Sequence, residues 1–174
     1  MNNPQNQFEQ IESNIADEIS FIIRWRTSKH YFSGEENLGS EYFGRLKTDL
    51  QGAFETASII RLATFFQDGS NSLQRFINLA KDLNKIDKPK HKSLNQRIKE
   101  LISKNDCKTL HNLRRKVFAH WDESCPEHPD HPIDITSIIE EIVSIFEASG
   151  GRRIDRGILE RDVKKGWQDF LKKL

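Results

Sequence analysis

The sequence predicts an all-α protein, an antiparallel helical bundle with additional short and C-terminal helices. Apolar residues recur at three- and four-residue intervals along most of the 174 residues. No stretch alternates with the period of two that a half-buried strand requires. The intervals are punctuated by helix-capping and turn chemistry. Helices joined by short loops pack most simply as antiparallel neighbours, and a chain of this length fits one domain, 1–174, with a core that needs no disulfide framework.

Phe8, Ile11, Ile15, Ile19 and Ile22 form the first stripe, predicted to start just after Pro4 and to run towards Trp25 or His30. Residues 33–39 hold two glycines and read as a loop. Phe43, Leu46, Leu50, Phe54, Ala57 and Ile60 make a second long stripe, ending near Gln67. Asp68-Gly69-Ser70-Asn71 is turn chemistry, and Ser72 caps a shorter helix carrying Leu73, Phe76, Ile77, Ala80 and Leu83. Residues 85–92 read as a basic linker broken by Pro89, and Ser93-Leu94-Asn95-Gln96 as a capping box opening the next helix. Asn105-Asp106 is a point for that helix to break, after which Leu110, Leu113 and Val117 resume the rhythm. Residues 125–132 contain three prolines and form a loop. Asp134 or Thr136 caps a helix with Ile138, Ile142, Ile145 and Phe146 in phase, and Gly150-Gly151 stops it. A last helix is expected from Ile154 to Leu174 through Ile158, Val163, Trp167 and Phe170.

Charge is close to balanced overall, at +1, but is unevenly placed. Residues 85–116 hold eleven Lys or Arg against three acids, whereas residues 117–151 hold eight acids and no Lys or Arg. Such a dipole steers an anionic partner towards one face; solvated helix faces would give the same pattern. There is no apolar run long enough to span a membrane, and the polar N-terminus lacks a signal pattern. A cytoplasmic protein is therefore expected, in keeping with only two cysteines, Cys107 and Cys125.

The most informative string is Leu113-Arg114-Arg115-Lys116-Val117-Phe118-Ala119-His120-Trp121-Asp122. Its Arg114-x5-His120 spacing resembles the Arg-x4-6-His signature of the HEPN superfamily, helical bundles of which many are metal-independent endoribonucleases. The flanking residues are similar to the Leu-Arg-polar-Lys-x-x-Ala-His-x-Asp pattern of its abortive-infection (AbiU-like) branch. Ile59-Ile60-Arg61-Leu62 and Asn71-Ser72-Leu73 resemble an upstream segment of the same branch. Two residues depart from the family: Arg115 replaces a small polar residue, and Asp122 stands where one branch carries a tyrosine that a partner nucleotidyltransferase modifies.

The resemblance implies a toxin-like or phage-defence protein acting on RNA as a homodimer, with a possible antitoxin partner, no membrane association and no metal or other cofactor. Arg114 would contact the scissile phosphate and His120 would act as general acid or base. Arg115 and Lys116 would hold the RNA backbone, with Asp122 fixing the His120 tautomer and Arg61 lining the pocket. The chemistry fits these residue types: histidine titrates near neutral pH, and the arginine fork matches phosphate oxygens. At about 100° per residue, Arg114 and His120 lie roughly 120° apart around a helix, flanking the apolar stripe. A site shared across a two-fold axis accommodates that separation. Other readings stand beside this one. The domain could be catalytically silent, binding nucleotide, RNA or a partner protein. His120 could be a packing histidine, and Arg61 a structural ion-pair partner. Cys107, His111, Cys125, His128 and His131 could staple an interaction module through zinc, although their spacing matches no standard finger.

Overall fold

The computed structural model describes residues 3–34, 41–66, 72–110, 112 and 133–172. Among them the protein is an all-α helical bundle, and no residue is in a strand. The helices are α1 (Pro4–Gly34), α2 (Glu41–Thr64), α3 (Leu73–Asp82), α4 (Lys88–Ser103), α5 (Ile135–Ala148) and α6 (Arg156–Leu171). The chain forms two compact units: Met1–Asp17 with Ile59–Ile154, and Glu18–Ser58 with Asp155–Leu174. Both α1 and α2 contribute residues to each unit.

In the first unit, α3 starts where the Ser72 hydroxyl accepts the Arg75 N–H at 3.2 Å. It buries Leu73, Phe76, Ile77 and Ala80. It ends without a glycine: Asn84 takes φ 55°, its N–H bonds to Lys81 O, and the Lys85 N–H reaches Ala80 O at 2.8 Å. These are the paired bonds of a Schellman ending, with asparagine at the left-handed position. Helix α4 begins five residues before the expected Ser93. Asp87 caps it by accepting the Lys90 N–H at 2.8 Å, and Pro89 sits in the first turn, where a missing N–H costs nothing. Leu94, Ile98 and Leu101 form its buried face. The break comes at Lys104, whose ψ of 143° is extended, and residues 105–110 are helical again. Asp134 caps α5 through the Ser137 N–H at 3.0 Å. Seven apolar residues of α5, from Ile135 to Phe146, are buried.

Side-chain pairs fix the helix directions. Gln74 bonds Asn95, and Asn78 bonds His91. Ascending positions on α3 thus meet descending positions on α4, so the two are antiparallel. Arg97 of α4 donates from Nε to Glu141 Oε1 and from Nη2 to Ser144 Oγ, both at 2.8 Å, while Asp106 accepts the Asp134 N–H at 3.3 Å. Helix α5 is therefore antiparallel to α4. The Arg97 hydrogen bond holds the Glu141 carboxyl below its ordinary pKa. Both side chains are part-exposed, and such a pair contributes no more than about 1 kcal/mol. The core centres on three rings: Phe76 stacks on Phe8 of α1 at 4.7 Å and lies 5.1 Å from Phe146 of α5. The Lys85 ammonium sits 4.6 Å from the Phe8 ring centre.

In the second unit, Ile19, Ile22 and Ile23 of α1 are buried together with Thr27, Ser28 and Ser58. These hydroxyls donate to carbonyls of the preceding turn, Thr27 to Ile23, Ser28 to Arg24 and Ser58 to Phe54. Burial without an unsatisfied donor follows. Trp167 of α6 donates from Nε1 to Ser28 Oγ at 2.9 Å and meets the Phe54 ring edge-on at 6.1 Å. The half-buried face of α6 runs through Arg156, Leu159, Val163, Trp167 and Leu171. This corrects the expected stripe. Ile158 lies about 180° from Trp167 around the helix and is 46% exposed, and Phe170 is 51% exposed.

Candidate functional site

Arg114, Arg115, Lys116, His120 and Asp122 lie outside the described residues, as do His111, Cys125, His128 and His131. The structure therefore places Arg61 and the helical segment that leads towards the motif. Arg61 is in the last turn of α2 and half-buried, beside the buried Leu62 and Ala63. Its carbonyl accepts the Thr64 hydroxyl at 2.7 Å. Arg61 and the segment at 105–110 belong to the same unit.

That segment turns Cys107 and Leu110 into the core, at 4% and 0% exposure. Leu110, the first residue of the apolar stripe that continues into the motif, is thus a packing residue. The contact between Asp106 and the Asp134 N–H ties the segment to the start of α5. Free N–H groups and the positive end of the helix dipole favour carboxylates there.

Burial pushes the Cys107 thiol up to about 11; Lys104 pulls it down slightly, and Asp106 opposes that pull. Among the described residues no group of three His, Cys, Asp or Glu could hold a metal. A Cys125→Ser variant should react with a thiol reagent at pH 8 on the order of 100 times more slowly when folded than when denatured, because only about one thiol in a thousand is ionised at a pKa of 11. Equal rates in absorbance-monitored titrations would show that Cys107 is accessible.

The two charge blocks differ in what their side chains do. Lys88, Lys90, Lys92, Lys99 and Lys108 are all exposed. Of the acids, Asp134 caps α5, Glu141 pairs with Arg97, and Glu147 accepts the Ile154 N–H at 2.8 Å. Part of the acidic block is therefore structural, whereas much of the basic block faces solvent. A polar seam that sequence reasoning missed lies beside those lysines. Gln74 Nε2 donates to Asn95 Oδ1 at 2.6 Å and to Asn78 Oδ1 at 3.2 Å, and His91 Nε2 is 2.9 Å from Asn78 Oδ1. Its only sequence signal is amide and imidazole groups spaced four apart on consecutive helices, at 74/78 and 91/95.

No helix among the described residues is long and apolar enough to cross a membrane. Comparison with protein-family models, curated proteins and solved structures finds no match to the chain.

Proposed function

We propose that the protein is a HEPN-type toxin or phage-defence protein that cleaves RNA without a metal, in the cytoplasm and as a homodimer. The observation that carries this reading is the Arg114-x5-His120 string in an all-helical chain. The buried Leu110 is consistent with it, because Leu110 opens the apolar stripe that the sequence continues through Leu113 and Val117. In the reaction a ribose 2′-oxygen attacks phosphorus and the bond to the 5′-oxygen breaks, leaving a 2′,3′-cyclic phosphate. His120 moves the proton, and Arg114 stabilises the charge that develops on the phosphate oxygens. Arg115 and Lys116 hold the backbone, Asp122 orients His120, and Arg61 contributes a cation to the pocket. An antitoxin restrains the activity.

The test is expression of the wild type and His120→Ala in bacteria, with purified protein incubated with RNA in the presence of a chelator. Growth arrest and cyclic-phosphate ends from the wild type alone are expected. Harmless expression of both, without cleavage, would remove the nuclease and leave a silent binding domain.

A further inference from the structure

We propose that the outer face of α4 docks the phosphodiester backbone of an RNA strand; this rests on the reading of the chain as one that acts on RNA. Lys88, Lys92 and Lys99 fall within about 40° of one another around the helix, and rises of about 6 and 10 Å separate them along its axis. They lie on the side away from the buried Leu94, Ile98 and Leu101, and all three are exposed. Among the described residues none of the three pairs with a carboxylate. The nearby acids are otherwise engaged: Asp87 caps the helix, and Glu100 accepts from Gln96 Nε2 at 2.9 Å.

Charge complementarity selects the occupant. The lysine row runs along the Gln74–Asn78–His91–Asn95 seam, which places amide groups next to ammonium groups. Phosphate oxygens take charge-assisted hydrogen bonds from the ammonium groups, whereas the amide N–H groups of Gln74 and Asn95 are engaged within the seam. A protein partner would instead need an aromatic or apolar anchor at the centre of the face. The one large apolar side chain near the row among the described residues is Ile102, at its C-terminal end and 40% exposed. The row is a track of point charges without base-reading groups, so the docking is indifferent to sequence.

The probe is a short fluorescent oligonucleotide with 2′-O-methyl groups throughout. It keeps the phosphodiester charge and offers no 2′-hydroxyl for attack. Anisotropy titrations over a series of salt concentrations compare the full-length wild type with a Lys88→Gln, Lys92→Gln, Lys99→Gln variant. A third protein carries Arg161→Gln, Lys164→Gln and Lys165→Gln on the exposed face of α6. Each single-strand phosphate contact adds about 0.7 to the slope of log affinity against log salt, so the α4 variant should lose about 2 in slope and bind at least about tenfold more weakly. The α6 variant should match the wild type. Equal losses in both variants would reduce the effect to net charge and overturn the docking face, as would no binding by the wild type. Tighter binding of a polyglutamate peptide than of the oligonucleotide would assign the face to an acidic protein and also overturn it. Cleavage assays on unmodified RNA separate the two proposals. Oligonucleotide binding through α4 without cleavage rejects the nuclease and keeps the docking face, and cleavage with unchanged affinity in the α4 variant does the reverse.

Discussion

Replacing Phe76 with alanine is expected to destabilise the first unit by about 3–5 kcal/mol. The ring is fully buried and lies between Phe8, at 4.7 Å, and Phe146, at 5.1 Å. Truncation removes its transfer free energy and leaves a cavity whose walls are two other rings. It also deletes two aromatic contacts, each contributing about 0.5–1.5 kcal/mol beyond burial. Marginal domains have only about 5–15 kcal/mol in total, so one substitution consumes a large share. Urea denaturation followed by circular dichroism measures the loss, with Phe76→Leu as a milder comparison. A loss below about 1 kcal/mol would mean that the three rings are not the packed centre.

Substituting Gly151 with alanine should cost about 1–3 kcal/mol, towards the upper end. A Cβ at this position would lie 2.6 Å from Cε2 and Cζ of Phe146, well inside contact distance. That ring is fully buried and packs against Phe76. The close approach arises from the helix ending: Gly150 takes φ 92°, and the Gly151 N–H reaches back to Phe146 O at 3.1 Å. An informative contrast is Gly52→Ala in α2, where a Cβ meets nothing within 4 Å. There the change should stabilise by about 0.5–1 kcal/mol, because alanine has the better helix propensity. Opposite signs at the two glycines, read as shifts in the denaturation midpoint, would confirm that contact and not glycine content decides. A neutral Gly151→Ala would show that the Phe146 ring yields.

Apolar spacing made most of the helices legible. Phe8, Ile11, Ile15, Ile19 and Ile22 all turned out buried, and Ser72, Asp134 and Gly150-Gly151 act as the helix signals that their chemistry suggested. The misreadings have physical causes. Ser93-x-x-Gln96 matches a capping box, but Asp87 followed by Pro89 is a competing start that also gains the first turn of α4, and Ser93 falls inside the helix. The Asn84 ending went unread because asparagine is a less obvious left-handed residue than glycine. On α6, hydrophobicity singled out Ile158, whereas the half-buried face takes Leu159 and even Arg156. At the candidate site the string was legible but its geometry was not. Whether Arg114 and His120 converge depends on tertiary placement, and their positions lie outside the described residues. The amide seam illustrates the same limit, since four isolated polar residues acquire meaning only when α3 and α4 are set antiparallel.

The three-ring stack also orders events during synthesis. Helices α3 and α4 are neighbours in sequence, and their mutual contacts close only a short loop, which is fast. Phe8, however, belongs to a cluster completed by Phe146, nearly the whole chain later. At common elongation rates of about 5–20 residues per second, α1 waits on the order of ten seconds for that partner. Throughout this interval the stripe of Phe8, Ile11 and Ile15 has no finished core to enter. The nascent protein therefore exposes this apolar stripe of α1 until Phe146 has been made, and chaperone engagement and premature aggregation act on it in that interval.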